Sequence, residues 1–284
     1  MTFAVRQIDL QFSGVNSQVV NLKGLRCSAT IVNPGGSMAF GQLQLKVYGM
    51  TLAQMNEYSS IGTNQVAVQQ QSITVSAGNQ GDIALSQVFQ GNLMSSYIDL
   101  SNMPNISFNC AAVAGYLQKG TPVASNTYQG ANSAEVIIAN LAKSCGLNFQ
   151  NNGAHAILQN QYVYGSAVDQ MRQVALAASI PIVIENNTII IFPNNGFRDD
   201  MIIDMSPQTG MVGYPSYWES GFVIKSEFNP QILNGRQMKI TTSLPKANGT
   251  FAIQSVAHEI STLTPDGPWF TTTTLAPPPY VANN

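Results

Sequence analysis

Apolar residues recur at every second position through most of the first hundred residues. Phe3, Val5, Ile8, Leu10 and Phe12 mark one edge with a single slip in the alternation, and Leu25, Cys27, Ala29 and Ile31 alternate with Arg26, Ser28 and Thr30. A period of two puts one face of a strand in a core and leaves the other in water. The run stops at Asn33-Pro34-Gly35-Gly36, a turn sequence. Phe40, Leu43, Leu45 and Val47 resume the alternation, which predicts a hairpin over 25–48. Leu52, Met55 and Tyr58 follow at helical spacing behind Thr51, a residue able to cap a helix. Val66, Val68, Ile73, Val75, Ile83, Leu85, Val88 and Phe89 predict further strands around a turn at 78–81, and 92–100 and 106–113 continue the pattern. Short strands at regular spacing are those of a sandwich or small barrel.

The composition shifts at 120–130, where Gly120, Thr121, Pro122, Ser125, Asn126 and Gly130 read as a linker, and the period then lengthens. Asn132 with Glu135 has capping-box spacing ahead of an apolar stripe of Val136, Ile137, Leu141 and Ala142, with Gly146 placed to end that helix. Ser166 with Asp169 opens a second helix lined by Val168, Met171, Val174, Ala175 and Ala178 and stopped by Pro181. Asn186-Asn187 between two β-branched runs predicts a tight hairpin. From Gly210 the chain alternates again as far as Leu275. The expected organisation is a first β-rich domain over 1–120, a small α+β module over 121–204, a second β-rich domain over 205–275 and a Pro-rich tail over 276–284. The fold class is β-rich α+β.

Charge changes the picture most. Only 9% of the 284 residues are charged, the net charge is −2, and 44% are hydrophobic. An ordinary soluble domain carries roughly 25% charged residues. A surface of Asn, Gln, Ser, Thr and Gly repels copies of itself poorly and suits a subunit covered by neighbours. The scattered Lys and Arg make no basic face for phosphates, and no basic amphipathic helix or bilayer-length apolar run occurs, so neither a nucleic-acid face nor a membrane segment is expected. The N-terminus lacks the pattern of a signal peptide. Cys27, Cys110 and Cys145 are odd in number and form no C-x-x-C pair, which predicts buried thiols in a protein folded in a reducing cytoplasm.

Candidate chemistry is sparse. His258 and Glu259 are adjacent, but neighbours on a strand face opposite ways, and His258 reads better as a residue at a subunit contact. His155 reads as an exposed turn residue and Asp199-Asp200 as a solvated loop. No nucleophile-elbow, zincin or P-loop pattern is present. No catalytic, cofactor-binding or metal-binding residue is expected. Trp218 and Trp269, the only tryptophans, are candidate contact residues with His258.

Five stretches in order carry a resemblance: 46–56 (KVYGMTLAQMN), 87–91 (QVFQG), 206–215 (SPQTGMVGYP), 228–230 (FNP) and 266–272 (DGPWFTT). With them the chain resembles the bacteriophage tail baseplate hub proteins. That resemblance implies two tail-tube-like β-barrel domains with a small α/β insertion. It also implies a homotrimeric, pseudo-six-fold ring that joins the tail tube to the central spike and touches other baseplate proteins. The location implied is the virion tail baseplate, and the role structural rather than enzymatic. A virion-associated carbohydrate-binding β module using exposed Trp or Tyr is the alternative, and a wall hydrolase using Glu259 or Asp99 lacks a partner carboxylate at suitable spacing.

Overall fold

The computed structural model describes residues 5–14, 19–35, 40–60, 71–218 and 221–277. The expected strand around Val66 and Val68, Phe3 of the first edge, and all of the Pro-rich tail beyond Pro277 lie outside the described residues. The elements in order are β1 (Arg6–Ser13), β2 (Val19–Leu22), β3 (Cys27–Asn33), β4 (Gln42–Tyr48), α1 (Leu52–Glu57), β5 (Ser72–Asn79), β6 (Ser86–Asp99), β7 (Ser107–Val113) and α2 (Tyr116–Gly120). Then come β8 (Asn126–Ser133), α3 (Ala134–Ser144), β9 (Asn148–Asn151), β10 (Ile157–Val163), α4 (Ala167–Ala177), β11 (Ile182–Glu185) and β12 (Thr188–Ile191). The chain closes with β13 (Ile202–Met205), β14 (Met211–Trp218), β15 (Gly221–Glu227), β16 (Gln237–Ile240), β17 (Gly249–Thr262) and β18 (Trp269–Ala276).

One sheet runs through both ends of the chain. Its strand order is β14-β15-β18-β17-β3-β4-β7-β6-β5-β1-β2, with β16 on β17 and β13 parallel to β16. The described pairings trace a path and do not by themselves close a barrel. β17 is the strand that joins the ends. Residues 249–252 pair with β16, residues 256–262 pair with β3, and the opposite edge pairs with β18. A bulge between Ile253 and Ser255 bends β17 where it changes partner. β6 turns a corner likewise: residues 86–92 pair with β5 and 92–99 with β7, around a bulge between Leu93 and Ser95.

The hairpin expected over 25–48 is β3–β4, with Cys27, Ala29, Ile31, Leu43, Leu45 and Val47 all buried on one face. Thr51 caps α1 in a reciprocal box with Gln54, and Ser166 caps α4 with Asp169. Asn186 and Asn187 both have positive φ, 47° and 60°, the conformation a two-residue β11–β12 turn requires. Three expectations change. The linker reading ends early, because Asn126–Ser133 is a strand paired with β10. That strand is largely solvated on both faces, so it carries no apolar alternation to read. Helix α3 starts behind Ser133 rather than Asn132, whose amide instead donates to Gln129 O and Gly130 O within the β8 bend. Ile83 is fully exposed in a turn, where the Asp82 carboxylate accepts the Asn79 N–H at 2.7 Å, so β6 begins only at Ser86.

The apolar side chains fall into separate clusters. The first, around Phe12, Ile31, Ile73, Leu93 and Phe108, also takes in Ile260 and Trp269 from the far end of the chain. The second holds the facing sides of α3 and α4 with Ile182, Ile189 and Ile191 of the β11-β12-β9 sheet. The third gathers Ile224, Ile232, Met238, Ile253 and Leu275. Between the second and third, Val183, Phe192 and Ala252 pack together. Polar ties reinforce this junction. Asp199, expected in a solvated loop, accepts from Arg236 Nε at 2.8 Å and lies 2.8 Å from its Nη2, and Arg198 pairs with Glu185. Gly235 closes the junction: its N–H donates to Ile253 O, its carbonyl accepts from the Arg198 N–H, and its φ is +84°.

A Cβ on Gly235 would lie 2.8 Å from the Phe192 ring, whereas one on Gly24, also left-handed at φ +65°, would meet nothing. Gly24→Ala is therefore expected to cost about 1 kcal/mol from backbone strain alone. Gly235→Ala adds overpacking, for roughly 3 kcal/mol in all. Urea unfolding midpoints of the two variants check the difference; equal losses would remove the steric argument.

Candidate assembly surface

The long sheet has an apolar face and a solvent face, and the solvent face crosses the β3–β17 seam without a break. One row across it reads Lys225, Thr272, Ala257, Val32, Gln42 and Val113 on β15, β18, β17, β3, β4 and β7. The next reads Glu227, Phe270, Glu259, Thr30, Gln44 and Ala111. These side chains are exposed or half-buried, half of them small, and nine of the twelve uncharged. A partner can approach such a surface without stripping water from ions. On these two rows the charged residues, Lys225, Glu227 and Glu259, lie on β15 and β17, and the β3, β4 and β7 positions are uncharged.

His258 and Trp269 lie on the opposite, apolar side of this seam, and the structure brings them together. His258 is 2% exposed; its Nδ1 is 2.9 Å from Thr271 Oγ1, which also accepts the Asn229 N–H. The Phe228 ring stands between the two, edge-on to His258 at 5.3 Å and tilted against Trp269 at 4.9 Å. Arg6 lies over the Trp269 ring at 5.5 Å and donates to Gly267 O at 2.9 Å, which fastens β1 to the β17–β18 turn. Beside this cluster opens a cleft of about 880 Å³ between β1–β5 and the β17–β18 turn, with Trp269, Glu227 and Leu263 in its wall. The imidazole is enclosed by its own chain, and burial pushes its pKa down from 6.5 to about 4. Glu259, its sequence neighbour, is exposed on the other face.

Trp218 is not part of the cluster. It ends β14, the terminal strand of the sheet, and is 48% exposed. His155 is exposed and lies 3.1 Å from Glu135. Cys27 and Cys110 are buried and Cys145 is half-buried, all as free thiols. Among the described residues no three His, Cys, Asp or Glu side chains converge as a metal site would need, and no helix is long and apolar enough to cross a membrane. The sequence pointed to His258 and Trp269 as contact residues; in the folded chain both are buried, against Arg6, Phe228 and Thr271, which it did not point to. Phe228 sat within a quoted motif, but nothing local announces that residues 6, 228 and 269 meet.

Because the folded chain holds His258 neutral, the unfolded chain binds its proton first as pH falls. This contribution to stability is complete above about pH 6.5 and is lost between there and about pH 4, for roughly 3 kcal/mol. His258→Gln keeps a polar partner for Thr271 and removes the titration. Its urea midpoint is expected to fall less than the wild type's between pH 7 and pH 4. Parallel curves for the two proteins would show that the acid sensitivity arises elsewhere.

Known proteins place this architecture. The model of the family described as baseplate hub gp41 matches residues 20–274. No curated protein matches the chain. Among solved structures, the 43 kDa tail protein of prophage MuSo2 from Shewanella oneidensis aligns with a TM-score of 0.67 at 9% identity, over 98% of this chain and all of that one. A tail protein from Neisseria meningitidis aligns with a TM-score of 0.65 at 7% identity, over 94% and 96%. An E. coli type VI secretion component, described as similar to the T4 tail proteins gp27 and gp5, aligns at 0.60 and 12%, over 97% and 80%. At these identities the structures speak for the fold, and the family match over nearly the whole chain speaks for membership. The chain belongs to the baseplate hub gp41 family, a structural component of the virion tail baseplate.

Proposed function

We propose that three copies of the chain form a ring with pseudo-six-fold character that joins the tail tube to the central spike. The observation that carries this reading is the single sheet passing from one end of the chain to the other through the β3–β17 seam. Two β-rich ends fused by backbone hydrogen bonds turn as one body. Three such bodies would present six comparable surfaces, which suits a six-fold partner on one side and a three-fold partner on the other. The working division is 1–120 and 205–275 as tail-tube-like barrels, with 121–204 inserted between them, in keeping with the separate apolar clusters. The solvent face, uncharged over the β3, β4 and β7 positions of those rows, is the surface offered to tube, spike and other baseplate proteins.

The proposed role is structural and not enzymatic. His258 is locked against Thr271 on one face while Glu259 points the other way, so the most suggestive acid–base pair in the sequence cannot act together.

Light scattering of the purified chain is expected to give three times its 30.5 kDa mass, and electron micrographs to show closed rings. A monomer at tens of micromolar, coupled with absence of the chain from purified virions, would sink the ring. On the solvent face, Thr30→Glu with Gln44→Glu puts like charges on facing residues of β3 and β4, in line with Glu259 of β17. The double variant is expected to fold, with less than about 2 kcal/mol lost over the two like-charge pairs, while its binding to the tube or spike protein falls at least tenfold.

A further inference from the structure

Most cations of this chain are already engaged. All twelve Lys and Arg side chains are described, and eight of them lie against a carboxylate or over an aromatic ring. Four have no such partner among the described residues: Lys143 on α3, Arg172 on α4, Lys239 on β16, and Lys246. Lys246 alone stands on a turn, where Ser243, Leu244, Pro245 and Lys246 are exposed in succession. The turn is stiff. Pro245 fixes its own φ, Ala247 is buried beneath it, and Asn248 Oδ1 accepts the Thr242 N–H at 2.7 Å across its base. A stiff turn loses little freedom when it docks.

The cleft beside Trp269 offers the opposite charge. Asp82 and Glu227 both line it, and neither carboxylate has an ion-pair partner among the described residues. The cation in its wall, Arg6, is already held over Trp269 and on Gly267 O. Phe228, Trp269 and Leu263, the last 67% exposed, give the cleft an apolar lining. Its chemistry suits a short convex segment with an apolar residue beside a lysine, which is the composition of Leu244-Pro245-Lys246. The segment cannot come from the same chain. The turn precedes the first residue of β17, and Leu263 follows the last. β17 is 14 residues long, so turn and cleft lie roughly 40 Å apart along it.

We propose that the Leu244-Pro245-Lys246 turn of one copy seats in the cleft of the next, with Lys246 against Glu227 and Asp82 and Leu244 against Leu263. Two unlike patches at opposite ends of one strand make a head-to-tail contact, and such contacts close into a ring when the rotation between copies allows it. The inference rests on the ring reading and supplies a contact between its subunits.

The test is light scattering over a dilution series of the full chain, which gives the concentration at which the assembly half dissociates. Lys246→Glu and Glu227→Lys are each expected to raise that concentration at least tenfold, and the charge-swapped double variant to recover most of the loss. Tryptophan emission reports whether each variant is folded. Should a reversed charge unfold the chain, Lys246→Ala and Glu227→Gln take its place, with the same direction of change expected. A wild-type trimer that both single variants leave unchanged overturns this contact and leaves the ring standing. That holds too if those variants stay trimeric but lose the tube or spike protein, since the cleft would then belong to that partner. A swap no better than the singles also overturns the contact. A wild-type chain that stays monomeric removes the ring and the contact together.

Discussion

The pairing of β17 with β3 is the constraint on which the rest of the molecule depends. Seven consecutive residues, Val256 to Thr262, face Asn33 to Cys27 in strict register. A slip of one residue would turn Ile260 and His258 to the solvent face and Glu259 into the core. Side chains pin both ends of the seam. Thr262 Oγ1 donates to Leu25 O at 2.9 Å and touches Cys27 Sγ at 3.2 Å, while the Asn234 amide donates to Asn33 O and Pro34 O. Segments more than two hundred residues apart in sequence are thereby held as neighbours, and the cluster of Arg6, Phe228, His258 and Trp269 exists only because they are.

Charge is scarce, and part of what there is works at internal joints. Arg236 with Asp199 ties the helical module to the last β-rich stretch beside Gly235, while Arg198 pairs with Glu185 inside the module and donates its N–H across to Gly235 O. Ion pairs with little exposure contribute more to the choice of one arrangement than to net stability. Keeping such pairs at the junction leaves much of the sheet's solvent face to Thr, Gln, Ala and Val. That distribution is coherent with the proposed role, in which other tail proteins cover this face.

Much of the local structure was legible in the residues. The β3–β4 hairpin follows from alternation, the Asn186-Asn187 turn from the tolerance of asparagine for positive φ, and α4 from the Ser166–Asp169 box. Elements went unread where the periodic signal was absent or misleading. β8 is solvated on both faces, so its polar string looks like a linker. Ile83 sits in an apolar run but is held in a turn by Asp82. Asp199 looked solvated because its partner, Arg236, is supplied from another part of the chain.

The sequence by itself determined the β-rich α+β character, the helical interlude, the unusual lack of charge and the family. These depend on composition, on local periodicity and on short motifs, which a strand or helix expresses without reference to the rest of the chain. Only the tertiary structure decided that the two β-rich ends share one sheet, that His258 and Trp269 meet around Phe228 under Arg6, and that Trp218 stands apart on the open edge. Strand partners are chosen by long-range register and by burial against residues hundreds of positions away. An alternating pattern states that a strand has two faces but does not name its neighbour.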